Sequence, residues 1–505
     1  MKQRICSALC FLFLLQSTQG QILRPSHWSE EHIRFLQMRG YLWKLSPLSR
    51  PIAVEALHQE LQNDLTSPTN ASAIAYERSL YLKSYVQSLG TESAMALIGV
   101  QTDNRYVDDH IVKTYAGMQR LQFNARPKPW LDLANTIVVD SRLDNSPEYM
   151  GISQSGFASY TEQAYLRLHQ GGMELKIGRD YLRWGPGRDA SLLIADISRP
   201  LDQLQLSYRH RFFRYTFFTS SLDPTNYAVN GKSERQLRYL SGHRLEVWPW
   251  RFLSLAVQEA ILFGGAGDGY NLALINPFIF FHGEQMNGPD DGNTLGSFQL
   301  GIKPHRNWYF YGDLLVDDVQ LEKTGPGDLE PSELGLIAGV NWSDPLWIWG
   351  LDLYAEYSAV TNRTYNALNP WEKWLHRHKP LGHFLGNDFD RLLAGFSYWP
   401  VSAWRGAVSY EHRRKGEGRI EKEFDSPWME TPVGQEYHEP FPTGVVESSD
   451  LLSLEVCWQP IPWLRVFGQA VYTSSKNWQN QKAVNRSFWQ GGLGVSLEFY
   501  HSIHM

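Results

Sequence analysis

The densest set of chemistry-bearing residues in this chain is Gly178-Arg179-Asp180-Tyr181-Leu182-Arg183-Trp184-Gly185-Pro186-Gly187. An arginine presents a planar fork of donors that fits a carboxylate. An indole presents a flat apolar face with one polar edge. Arg179, Arg183 and Trp184 together therefore suit an acidic sugar offered to a rigid platform facing a lumen. The Gly-Pro-Gly that follows also suits a plain tight turn. Gly185 and Gly187 permit positive φ and Pro186 fixes φ between them. On that second reading Gly178, Gly185, Pro186 and Gly187 are structural and only set Trp184 in an aromatic belt.

Two further sets could touch carbohydrate. Trp371, Trp374, His376, Arg377, His378 and His383 share one long loop. Their histidines lack a zinc-ligand spacing, so the indoles are the better candidates, stacking on sugar rings or packing the loop. Trp478 stands with Asn477, Gln479 and Asn480 in a last loop, an aromatic-plus-amide set of the same kind. The run Gly264 to Gly269 mimics a phosphate loop, but no helix follows it and the phosphate reading fails.

Hydrolysis of a glycoside needs two facing carboxyls about 5–10 Å apart. Asp317 and Asp318 are adjacent on a predicted strand and point to opposite faces. Asp290 and Asp291 are loop residues. Asp313 and Asp317 share the lumen face with Tyr311 and read as the lining of a wet channel. No nucleophile elbow stands at a strand-to-helix junction. The expectation is a non-enzyme without cofactor or metal.

The elements that must position these residues are strands. Leu351-Asp352-Leu353-Tyr354-Ala355-Glu356-Tyr357 alternates apolar and polar side chains, as do Met173 to Gly178, Leu204 to Arg209, Leu452 to Trp458 and Leu493 to Phe499. Short turns bracketed by aromatics punctuate them, at His210-Arg211, Pro249, His305, Asp344-Pro345, Val401 and Gln459-Pro462. Long polar loops fall between, near 221–234, 264–293, 319–333, 360–388, 414–448 and 474–487. Segments of about ten residues, aromatic girdles and turns short on one side and long on the other define a transmembrane β-barrel. About eighteen segments are countable. The class is an all-β transmembrane barrel of about 18 antiparallel strands over 93–505, its last strand ending near Phe499 with a short tail.

Composition agrees. Of 505 residues, 20% are charged and mean hydropathy is −0.37, which excludes a helical membrane protein. Residues 1–20 read as a signal peptide: Lys2 and Arg4, an apolar run to Leu15, then small residues before cleavage. Leu9 before Cys10 is wrong for a lipidation site. Cleavage takes the net charge from −6 to −8, against nucleic acid as a partner. It leaves Cys457 alone, so no intramolecular disulfide is expected. Residues 21–92 carry helical spacing instead, around Ile33, Leu36 and Met38, then Ile52 to Leu65, then Ile74 to Leu89, and read as a small periplasmic bundle at or inside the barrel mouth.

The block from Gly178-Arg179 through Trp184-Gly185-Pro186-Gly187 to Ser191-Leu192 and Arg199-Pro200 resembles the Wzi family of outer-membrane capsule assembly proteins. So do Asn276-Pro277-Phe278, Tyr311 to Asp318 and His378 to Asp388. The likeness is good over roughly 150–400. It implies an eighteen-stranded barrel with a periplasmic helical bundle, acting as a surface lectin that holds capsular or extracellular polysaccharide. The expected setting is the outer membrane of a Gram-negative (diderm) bacterium, among lipid and lipopolysaccharide, as a monomer. The alternative is a porin-like channel for sugars or ions. In either case the bundle, and a loop such as 264–293 folding inward, are the candidates for a plug.

Overall fold

The computed structural model describes residues 22–65, 73–89, 95–109, 113–144, 149, 151–229, 232–265, 271–287, 292–320, 329–432 and 434–504. The leader 1–20, Ala266 to Tyr270 and Asp290-Asp291 lie outside them. Among the described residues one closed antiparallel barrel of eighteen strands dominates. Its strands are β1 Met95–Asp109, β2 Lys113–Lys128, β3 Leu131–Asp140, β4 Ala158–Gln170, β5 Met173–Asp180 and β6 Leu201–His210. They continue as β7 Phe213–Ser221, β8 Lys232–Trp250, β9 Leu253–Gly265, β10 Asn293–His305, β11 Trp308–Asp318 and β12 Glu333–Ser343. The last six are β13 Leu351–Val360, β14 Phe389–Val401, β15 Trp404–Lys415, β16 Glu447–Ile461, β17 Leu464–Lys476 and β18 Arg486–His504.

Closure runs through β18 and β1, with Phe499 opposite Val100 and His504 opposite Met95. The expected C-terminal tail is therefore strand. Residues 501–504 pair because an open edge in lipid would leave backbone groups without partners. Alternation does what the pattern predicts. Leu245, Val257, Phe298, Leu314 and Leu392 point outward and are exposed, while Arg244, Gln258, Gln299 and Asp313 point inward and are buried. Aromatic residues gather at the short-turn end, where Trp308 stacks on Trp342 at 4.8 Å and Trp463 meets Phe499 at 5.5 Å.

The N-terminal segment supplies α1 Ser29–Met38, α2 Val54–Leu65 and α3 Ala73–Leu89. Glu30 and Glu31 sit in the first turn of α1, where the helix dipole favours negative charge. Gly40 ends it at φ +82°, the left-handed position that a side chain would strain. Ile33, Leu36, Leu57, Leu61, Leu82 and Val86 form the bundle core, closed on the barrel side by Trp399. Ion pairs fix it to the wall at the short-turn end: Arg39 to Asp344 (2.7 Å) and Asp352 (3.1 Å), Glu31 to Arg465 (3.1 Å) and Glu55 to Arg167 (2.6 Å).

Residues 181–200, between β5 and β6, do not loop outward. They turn into the lumen and meet the bundle: Ser49 pairs with Trp184 and Arg50 with Arg183. Trp184, Leu192, Leu193 and Ile194 then pack on Phe218, Leu240, Leu262, Leu315 and Ile337 of the wall. A second apolar core thus fills one side of the barrel. A cavity of 500 Å³ remains on the other, lined by Arg34, Arg188, Arg391, Glu411 and Glu455.

Candidate functional site

The end carrying the long loops is laced into a cap. Asp388, with φ +53°, accepts from the Gly418 N–H (2.7 Å), the Thr443 N–H (2.9 Å) and the Thr443 hydroxyl (2.6 Å). Arg363 holds Glu439 through two bonds (2.9 and 3.0 Å) and Asp425 through a third. Burial works against the Arg363 charge, but these carboxylates more than offset it and raise its pKa. The Asn480 amide donates to the carbonyls of Lys415, Gly416 and Val445. Three loops, around 361–388, 416–446 and 477–485, are held in one arrangement.

A cleft of 280 Å³ opens on this cap, lined among others by Gln320, Asn362, Arg363, Tyr437, His438 and Phe441. Trp428 stands behind it, with the Arg363 guanidinium 4.7 Å over its ring and Tyr437 edge-on at 6.3 Å. Burial, and Glu439 beside it, raise the Tyr437 pKa, so its hydroxyl stays protonated. Rings, amide, hydroxyl and a fixed guanidinium converge there, a set able to stack on and hydrogen-bond a polar ring. Sequence reasoning missed these residues. Trp428, Tyr437 and Phe441 lie within the loop it marked at 414–448, but no spacing joins them to Asn362.

The residues singled out from the sequence fall in several places. Trp184 and Trp374 are fully buried, Trp184 edge-on to Phe218 and Trp374 donating its indole N–H to the Leu193 carbonyl at 2.9 Å. Neither offers a face to a polymer. Arg183 turns back on its own segment, to the Gly187 and Arg188 carbonyls. Arg179 pairs with Asp202 at 2.6 Å on the outward face of β5, not on a lumen platform. Its parity is that of exposed Met173 and Ile177.

The glycines act by close approach. Gly178 alone has positive φ (+128°), and a Cβ there would meet the Ala164 carbonyl. A Cβ on Gly185 would strike Ser191, and one on Gly187 the Ala190 carbonyl. The expectation of positive φ at Gly185 and Gly187 is corrected: they let the chain fold tightly inside the barrel.

The histidines do not converge. His376 bonds Asp223 at 2.8 Å, and its pKa is lowered by burial. His383 lies between Phe384 and Phe389, and burial lowers its pKa well below the usual value. His378 is exposed. Trp371 is half-buried at the mouth, its carbonyl bound by Arg238. Trp478 is half-buried, edge-on to Phe488 and under Arg486. Asp313 and Asp317 do share the lumen face, but each is tied down: Asp313 by Ser297 and Gln299, Asp317 by the Tyr365 N–H. Glu55, Asp132 and His169 approach within 4.8 Å of one another. Arg126 and Arg167 occupy those carboxylates at 2.6–2.7 Å, so the cluster is an ion-pair network.

Residues 134–488 match the sequence model of a family described as capsule assembly protein Wzi. Among solved structures the chain resembles the Escherichia coli outer-membrane protein Wzi, described as a carbohydrate-binding β-barrel involved in group 1 capsule assembly. The two share 15% identity over 95% of this chain and 99% of that one, with a TM-score of 0.64. The Pseudomonas aeruginosa barrel OpdK is more distant, at 14% identity, 80% of this chain, 99% of that one and a TM-score of 0.48. No curated protein sequence matches.

Proposed function

The chain belongs to the capsule assembly protein Wzi family, and we propose that it is a non-catalytic outer-membrane lectin that holds exported capsular or related polysaccharide on the cell surface. The observation that carries this is the laced cap with its aromatic and polar cleft, standing over a lumen that residues 181–200 fill on one side and the bundle closes at the short-turn end. A rigid surface loses little entropy on binding. A repeating polymer engages many copies at once, so weak contacts add as avidity. Trp371, His378 and Trp478 keep surface at the same end and extend the contact beyond the cleft. Trp184 and Trp374 act behind it as core and Arg183 and His383 as supports, while Arg179 lies on the outward face of β5.

In this reading the leader 1–20 is cleaved, the bundle of 21–92 faces the periplasm and the long loops face outward. The barrel stands as a monomer among lipid and lipopolysaccharide of a diderm bacterium. A porin-like channel is opposed by the apolar core that residues 181–200 build inside the lumen and by the bundle docked at the short-turn end. Catalysis is opposed by the tethering of Asp313 and Asp317 to structural donors.

The test replaces Tyr437 and Phe441 by alanine in the native cell. Polysaccharide should shift from cells to medium with its total unchanged, and purified barrel should bind the polymer less tightly. Unchanged partition and affinity would remove the cleft as the site. Unchanged partition in a full deletion would remove the function.

A further inference from the structure

The segment Asn276-Pro277-Phe278 and its surroundings play no part in the cap. The sequence offers the loop 264–293 as an inward-folding plug, and residues 271–287 are the middle of it. They fold the other way, down the outside of the barrel. The wall they cover is on the face that should meet lipid: Leu245 pairs with Val257, both exposed, and on that same face His243 pairs with Glu259 and Phe217. Yet Phe217 and Ile261 there are buried, packed with Tyr239, Phe263, Leu274 and Phe281. Phe278 stacks on Tyr215 at 5.9 Å. Tyr215 lies near the short-turn end of β7, so the segment runs back along much of the wall.

The contact is built. A short helix, α4 Phe281–Asn287, starts over Glu259. That carboxylate accepts from the N–H groups of Phe281 (3.1 Å) and His282 (2.7 Å) and pairs with His243 at 3.1 Å. The His243 ring stacks on Phe281 at 4.8 Å. A carboxylate and an imidazole on a lipid-facing wall are costly when bare, and here α4 covers both. The Pro277 carbonyl takes the Tyr215 hydroxyl.

What the flap shows to the outside is mostly apolar, with Asn276, His282 and Asn287 exposed between. Leu272 is 81% exposed, Phe278 82%, Phe280 63% and Met286 74%. Asn271 to Asn287 contains no lysine or arginine and a single carboxylate, Glu284, unlike the charged loops of the cap. Much of its backbone is satisfied internally: the N–H groups of Ile275, Asn276, Ile279 and Glu284 bond carbonyls of the same segment. Those of Ala273 and Phe278 bond Asn271 and Asn276 side chains. Pro277 has none to satisfy. Internal satisfaction of backbone groups is what hydrocarbon demands and water does not.

We propose that residues 271–287 are a membrane-embedded flap on the outer wall, latched by Glu259 and His243, with Leu272, Phe278, Phe280 and Met286 among lipid acyl chains. The surface is separate from the cap and independent of what the cap binds.

The test places a nitroxide on Phe280→Cys in the full protein, reconstituted in phosphatidylethanolamine–phosphatidylglycerol vesicles. Val257→Cys serves as a lipid-facing reference and His378→Cys as an aqueous one. Cys457 is buried, and wild-type protein taken through the same labelling sets the background. Collision with oxygen at 280 should match 257, and collision with a water-soluble nickel chelate should be severalfold lower than at 378. Nickel access equal to that at 378 would overturn the proposal, as would spin–spin broadening showing that a second copy covers the flap. Glu259→Ala, checked for folding by heat-dependent gel migration, should raise label mobility at 280. Unchanged mobility would remove the latch.

Discussion

The two ends of this barrel are closed by different chemistry. At the short-turn end a helical bundle is bolted to the wall by ion pairs, Arg39 buried between Asp344 and Asp352 and half-buried Glu31 against Arg465. At the loop end the chain closes over itself with Asp388, Asn480 and Arg363 binding backbone and loop carboxylates. Buried ion pairs orient a separate body, because each charge must find its partner or remain desolvated and unpaired. Lacing of loops fixes a surface that still presents rings and polar groups to a ligand. One end is built to stay shut and the other to be presented.

The largest expected effect breaks the first end alone. Arg39→Met leaves Asp344 and Asp352 buried without their cation, a loss of about 3–5 kcal/mol for a broken buried pair. Limited proteolysis should then cut the bundle far faster while polymer binding by the cap persists. A parallel loss of binding would mean that the two ends are not independent. The counterpart at the cap is Asp388→Ala, which strands the Gly418 and Thr443 donors at about 1–3 kcal/mol for unmade bonds. Polymer affinity should fall and the bundle should stay resistant to protease. The reverse outcome would dissolve the comparison.

The difference between the ends also explains what the sequence made legible. Strand alternation, aromatic turns and the helical spacing of 33–38, 52–65 and 74–89 are local patterns, and they predicted the elements and the sides of their turns, although Ile52 pairs with Leu23 in a short strand and the second helix starts at Val54. The direction in which a loop folds is not local. Residues 181–200 and 271–287 are both Gly- and Pro-marked excursions, yet one enters the lumen and the other runs down the outer wall. Only the polar pair His243 and Glu259, outward on strands β8 and β9, hinted at the second. Trp184 and Trp374 looked like sugar platforms because an indole carries the same signal in a core as on a surface.

A smaller effect follows from protonation at the bundle. Burial lowers the pKa of His27, against the pull of Glu498, and lowers that of His32 well below the usual value with Arg78 adding to it. A histidine held neutral in the folded state adds stability that is full above its unfolded pKa of about 6.5. That stability is lost as pH falls below it, because the unfolded state then binds the extra proton. Bundle docking should therefore weaken from about pH 6.5 downward, read as rising protease sensitivity of residues 22–89. His32→Gln should flatten the profile. A profile unchanged by the substitution would assign the pH response elsewhere.

The smallest expected effect concerns Arg179, which the sequence offered as a sugar ligand. Its partner Asp202 is half exposed and the pair faces outward from β5 and β6. Exposed pairs of this kind contribute about 0–1 kcal/mol. Arg179→Ala should leave thermal unfolding and polymer retention close to wild type, whereas substitutions in the cleft should release polymer. If Arg179→Ala instead releases polymer with the barrel intact, the binding surface continues over the rim onto the outer wall. The contrast between a presented cap and an inert wall would then have to be redrawn around the outward edge of β5.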